Sequence, residues 1–131
     1  RAVWAAMVDG PAWSEWLPIS RVTWTSPQPF GIGTTRTVEI DRMEVQETFF
    51  AWDEGRRMAF RFDRSSFPVR AAVEDYRVID RGEHCTFEWR GRVDGVFPIG
   101  WLLGTQLRKG IRKGLPKLER LIRDNPQRFG L

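Results

Sequence analysis

Residues 34–52 read TTRTVEIDRMEVQETFFAW, and the alternation in this stretch decides the fold. If the chain reverses at Asp41-Arg42, residues 34–40 and 43–52 become two antiparallel strands. Val38, Ile40, Met43, Val45 and Phe49 then share one face, as the two-residue period of a strand requires. The same register sets Ile40 opposite Met43, Val38 opposite Val45, and Arg36 opposite Glu47. An ion pair is thus expected on the apolar side of the sheet.

Two more hairpins follow. A turn at Asp53-Glu54-Gly55-Arg56 pairs Trp52 with Arg57, Ala51 with Met58, Phe49 with Phe60 and Glu47 with Phe62. A turn at Asp80-Arg81-Gly82-Glu83 pairs Ile79 with His84, Val78 with Cys85, Tyr76 with Phe87 and Glu74 with Trp89. Thr86, Glu88, Arg90 and Arg92 then face solvent. Residues 20–26 add a strand before the first hairpin, and a breaker-rich loop, Pro27-Gln28-Pro29-Phe30-Gly31, separates them. The result is an antiparallel sheet with one apolar face that also collects Arg36, Glu47, Glu74 and Tyr76.

The flanks are helical. Residues 2–8 and 12–17 are two short Trp-rich helices, stopped by Asp9-Gly10-Pro11 and by Pro18. Residues 100–124 form one long helix with Leu103, Leu107, Ile111, Leu115, Leu118 and Ile122 in a single stripe. Pro116 is expected to kink it near Arg112. The fold class is therefore α+β, one domain over residues 1–131, with a curved antiparallel sheet closed by a terminal helix.

Composition agrees with a globular domain: 41% hydrophobic, 29% charged, with seven Trp and nine Phe. Cys85 is the one cysteine, which excludes an internal disulfide and fits a reducing cytoplasm. No His/Cys/Asp/Glu cluster has metal-ligand spacing, so neither metal nor cofactor is expected. The net charge of +4 is concentrated from Arg108 to Arg123, which holds seven basic residues and one acid. That stripe fits a solvated outer face or peripheral contact with an anionic membrane. It carries no aromatic, which argues against a nucleic-acid partner. No apolar run is long enough for stable membrane insertion. The sequence carries no sign of oligomeric state.

Several stretches resemble a known family. Val3-Trp4, Trp13-Ser14-Glu15-Trp16-Leu17-Pro18, Gly31-Ile32-Gly33-Thr34 and Trp52-Asp53-Glu54-Gly55-Arg56-Arg57-Met58-Ala59-Phe60 are similar to the START-related helix-grip superfamily (SRPBCC), in its bacterial polyketide cyclase/dehydrase branch. The resemblance covers nearly the whole chain. It implies a sheet folded around the C-terminal helix, with a cavity for a hydrophobic ligand. It does not imply catalysis, since many relatives only bind or carry lipids, hormones or polyketides. The family opens with a strand before the first helix, so that strand is expected to be missing here.

Two functions follow as expectations. In the first, the protein binds or carries a small hydrophobic molecule. Phe49, Met58, Phe60, Phe62, Phe87 and Trp89 line the walls, Trp101 and Leu102 cover one end, and Arg36 and Tyr76 orient the ligand's polar end. The Trp-rich opening forms the rim. The competing reading of the aromatics is a filled core with no cavity. In the second function, a cyclase, aromatase or dehydrase, Glu47 or Glu74 is the base, Tyr76 the proton donor and Arg36 the charge stabiliser. A structural ion pair between Arg36 and Glu47 accounts for those two residues equally well.

Overall fold

The computed structural model describes residues 1–131. Two helices, α1 (Ala2–Val8) and α2 (Trp13–Trp16), precede a six-stranded antiparallel sheet that runs in chain order. Its strands are β1 (Arg21–Trp24), β2 (Thr35–Ile40), β3 (Met43–Asp53), β4 (Arg57–Ser65), β5 (Val69–Asp80) and β6 (Cys85–Gly95). A long helix, α3 (Ile99–Asp124), follows and runs unbroken through Pro116. Three unpaired residues interrupt the ladders: Asp63 on β4 opposite the Gln46-Glu47 step, Phe50 on β3 and Arg70 on β5. Such bulges bend a strand, and they curve this sheet around α3.

The first hairpin has the register read from the sequence, including Arg36 opposite Glu47. Asp41 takes the positive φ (53°) that its tight turn demands, a conformation that Asp tolerates better than most residues. The second hairpin differs near its tip, where Trp52 faces Met58 and Asp53 faces Arg57. The turn is one residue tighter than expected, because Gly55 adopts positive φ and the Arg56 N–H donates to the Asp53 carbonyl at 2.9 Å. Phe50 takes up the difference as a bulge, which restores Phe49 opposite Phe60 and Glu47 opposite Phe62.

The third hairpin is shifted by two residues, with Asp80 opposite Cys85, Val78 opposite Phe87 and Tyr76 opposite Trp89. Its loop is Arg81 to His84, closed by the Arg81 N–H donating to the His84 carbonyl and by Asp80 accepting from the Gly82 N–H. A two-residue shift preserves the strand faces, so Tyr76 and Trp89 still point inward.

The Trp-rich opening is interior wall, not rim. Trp4, Trp13 and Trp16 are buried in the core with Met7, Phe49, Met58 and Phe60. The Trp13 and Trp24 indoles donate to the Met7 and Val8 carbonyls at the end of α1, groups that a helix C-terminus leaves unpaired. The chain's end returns to the same region. Phe129 is buried, and Arg128 pairs with Asp9 and Glu15.

Gly114 marks the closest approach of α3 to α2. A Cβ there would sit 2.7 Å from the Trp16 carbonyl oxygen and 2.7 Å from Leu17. Gly104, on the same helix, has open space around the equivalent position. The two glycines should therefore respond oppositely to alanine. Gly104→Ala is expected to stabilise by about 1 kcal/mol through helix propensity, whereas Gly114→Ala is expected to destabilise by about 1–3 kcal/mol through overpacking. Urea unfolding of the two variants measures both signs.

Candidate functional site

A cavity of about 270 Å³ lies between the concave face of the sheet and α3. Alternation along β2 and β3 sends Val38, Ile40 and Val45 into it, and β6 contributes Trp89 and Val93. The apolar stripe of α3 supplies the roof through Leu103, Leu107 and Ile111. Pro18, Gln106 and Leu107 are exposed lining residues, so the cavity opens between the α2–β1 link and α3.

Four polar side chains occupy its inner end: Arg36, Glu47, Glu74 and Tyr76, each at most 6% exposed. All four sit at inward positions of their strands, which is why the sequence pattern places them together. Arg36 Nε donates to Glu47 Oε2 at 2.5 Å. Its guanidinium also lies 4.6–5.5 Å from the ring centres of Trp13, Trp24, Phe49 and Phe60. Buried cation–π contacts of this kind offset part of the desolvation of the charge. Arg36 Nη1 is buried with no protein acceptor, as is Trp16 Nε1 outside the cavity lining. A buried N–H without a partner is costly, so that of Arg36 calls for an acceptor.

Glu74 is held by two donors. Tyr76 Oη donates to Oε2 and Trp89 Nε1 donates to Oε1, each at 3.2 Å. Burial raises its pKa to about 7, with the negative charge of Glu47 adding to the rise. Arg36 and the two donors pull the other way without cancelling it. Burial also raises Glu47, against the pull of Arg36. Burial pushes the Tyr76 phenol well above its ordinary value, and Glu74 contributes, so Tyr76 stays protonated as a donor. Burial disfavours the charged Arg36, but Glu47, Tyr76 and Glu74 together outweigh it and keep Arg36 cationic.

The expected site residues divide into two groups. Arg36, Glu47, Phe62, Glu74, Tyr76 and Trp89 line the cavity. Phe49, Met58 and Phe60 lie under it as fully buried core, and Phe87 packs against the core away from the cavity lining. They face the right side of the sheet, but the Arg36 guanidinium lies over the Phe49 and Phe60 rings. Trp101 and Leu102 do not cover an end, for both are exposed. The helical phase turns the next residue, Leu103, inward instead. The sequence pattern did not single out Ile19, Phe67, Val69 or Val93 as lining residues, and it put Trp13 at the rim rather than in the wall. Leu103, Leu107 and Ile111 were already legible as the helix stripe.

Comparison with known proteins agrees with this geometry. A family model described as polyketide cyclase / dehydrase and lipid transport matches residues 1–123. An uncharacterized protein of Mycobacterium tuberculosis (strain ATCC 25618 / H37Rv) is 46% identical over 86 residues, which cover 63% of this chain and 52% of that protein. An uncharacterized protein of Mycobacterium bovis matches to the same extent. The chain thus spans about half the length of the curated relatives it matches. Among solved structures, one from Thermobifida fusca superposes with a TM-score of 0.72 at 26% identity, covering 92% of this chain and 84% of that one. The protein XoxI from Bacillus cereus superposes with a TM-score of 0.70 at 18% identity, covering 94% and 87%, a likeness of fold.

The raised Glu74 pKa makes stability depend on pH. Between the usual 4.5 and about 7, the folded protein keeps a proton that the unfolded chain releases. Stability is therefore expected to fall as pH rises through that window, by up to about 3 kcal/mol. Glu74→Gln keeps the shape and removes the titration. Its urea midpoint should change less than that of the parent between about pH 5 and about pH 8, and equal slopes would contradict the assignment.

Proposed function

We propose that this chain, which belongs to the polyketide cyclase / dehydrase and lipid transport family, binds a small, mostly apolar molecule in the cavity under α3. The observation that carries this reading is Arg36. Its Nη1 is buried without a protein acceptor, and Arg36 is one of the few polar residues lining a cavity whose walls are otherwise largely apolar. A ligand carbonyl or hydroxyl oxygen placed there would satisfy the N–H, while Val38, Val93 and Leu103 exclude water from the rest of the molecule. Glu74 and Tyr76 lie beside that position and would order the same polar end. The cavity is near the lower end of the usual range for small-molecule sites, about 300–1,000 Å³, which favours a compact ligand over a long two-chain lipid. Cys85 is a free thiol, in keeping with a reducing cytoplasm as the working compartment.

The site also supports a second reading, cyclase, aromatase or dehydrase chemistry, because Glu74 has a pKa of about 7 and faces the cavity. A carboxylate poised there could remove a proton next to a carbonyl whose oxygen is held by Arg36. Tyr76 would act as donor. Glu47 is engaged at 2.5 Å by Arg36 and in this reading positions the cation rather than moving a proton.

Native mass spectrometry of the purified protein is expected to show a bound apolar small molecule, and the stripped protein should bind an apolar fluorescent dye. Val93→Trp, which fills the void from a half-buried strand position, should weaken dye binding at least about tenfold without unfolding the protein. A protein that carries nothing and binds no dye would overturn the carrier reading. Under the enzymatic reading, Glu74→Gln should abolish turnover of a polyketide-like substrate and leave its binding within about threefold.

A further inference from the structure

The β6–α3 junction has a shape of its own. Gly95 and Gly100 meet backbone to backbone, and a Cβ on Gly100 would lie 2.8 Å from the Gly95 Cα. This contact closes a tight reversal, with the Gly100 N–H donating to the Val96 carbonyl and the Leu102 N–H to the Pro98 carbonyl. Phe97 is 80% exposed and Trp101 64%, and Val96, Ile99 and Leu102 are also open to solvent. Five large apolar side chains on seven consecutive residues form a contiguous exposed patch, not the scattered apolar residues of an ordinary surface.

Beyond Asp94, the charge that follows the patch along the chain is of one sign. No acid occurs between Asp94 and Glu119, and the exposed face of α3 carries Arg108, Lys109, Arg112 and Lys113. Arg108 follows Trp101 by seven residues, about 10 Å along the helix axis. That offset matches an apolar tip buried about 5–10 Å in a bilayer interface, with cations at the level of the headgroups. Lys is depleted in the core of protein–protein interfaces, whereas an aromatic tip backed by Lys and Arg is the composition of a membrane-surface helix.

We infer that the Val96–Leu102 tip and the basic face of α3 together dock on the surface of an anionic lipid bilayer. The tip inserts its aromatic side chains among the acyl-chain ends, and the cations meet the anionic headgroups. The next turn of α3 supplies Leu103, Gln106 and Leu107 to the cavity lining, so docking brings the cavity mouth to the membrane. This surface is separate from the cavity, and docking does not depend on the ligand reading.

Cosedimentation with vesicles tests the inference. The protein is expected to bind phosphatidylcholine vesicles containing phosphatidylglycerol, to release as salt rises, and to bind pure phosphatidylcholine at least about tenfold more weakly. Phe97→Glu with Trp101→Glu should reduce binding to the anionic vesicles by about tenfold or more. Lys109→Glu with Lys113→Glu should do the same and flatten the salt dependence. Both variants alter exposed side chains, so unchanged melting curves and unchanged apolar-dye binding are expected and separate this inference from the cavity reading. Failure to bind anionic vesicles at low salt would overturn it, as would full binding by the Phe97→Glu/Trp101→Glu variant. Sedimentation velocity supplies a further contrary outcome: a dimer dissociated by that double substitution would make a second copy of the chain the occupant of the patch.

Discussion

The structure depends on one buried cation. Arg36 sits on the concave face of the sheet, paired with Glu47 across the first hairpin and surrounded by Trp13, Trp24, Phe49 and Phe60. A charge this deep is tolerated only when it is paired and its hydrogens are largely satisfied. The need for that pair explains several features at once. The strands must hold the register that sets Arg36 opposite Glu47, and α2 must deliver Trp13 onto the guanidinium. The bulge at Asp63 bends β4 where it runs beside Glu47, whose carboxylate meets the cation. Losing either partner would strand the other charge in an aromatic interior, a change on the order of 3–5 kcal/mol.

Around this centre the molecule divides in two. The C-terminal half of α3 is locked down by Leu118, by the contact of Gly114 with Trp16 and Leu17, and by the tail that buries Phe129. The N-terminal half spans the cavity, and Gly100 is its one fully buried residue before Gly114. A rigid polar floor thus faces a lightly packed roof. Elements with few buried apolar contacts open at the lowest free energy, so the roof is the part of the fold suited to admitting a ligand. The exposed tip lies at the start of that roof.

The fold was largely legible because its pattern is redundant. In residues 34–52 the apolar phase, the tight turn and the charge pair all point to one register, and that register is the observed one. The tips of the other two hairpins were harder. Positive-φ glycines at Gly55 and Gly82 set the loop lengths, and alternation alone does not distinguish registers that differ by two residues. For the site, the polar residues were readable from the strand faces. The walls were less so, because a strand face says which way a side chain points but not what lies above it. Phe49 and Phe60 point toward the cavity and are covered by the Arg36 guanidinium, Phe49 by Trp24 as well. Trp101 and Leu102 are apolar yet exposed, because the stripe phase of α3 turns Leu103, and not its two predecessors, inward. The contact of Arg128 with Asp9 and Glu15 spans more than a hundred residues and leaves no local signal.

The central claim is that the unpaired Arg36 N–H is the anchor point of a ligand cavity. A high-resolution crystal structure of the protein purified without lipid stripping tests it most directly. Continuous density is expected under α3, extending from the apolar walls to an oxygen atom within hydrogen-bonding distance of Arg36 Nη1, about 2.7–3.2 Å. A cavity collapsed by side-chain repacking, or one containing only isolated waters with no ligand atom at Arg36, would contradict it.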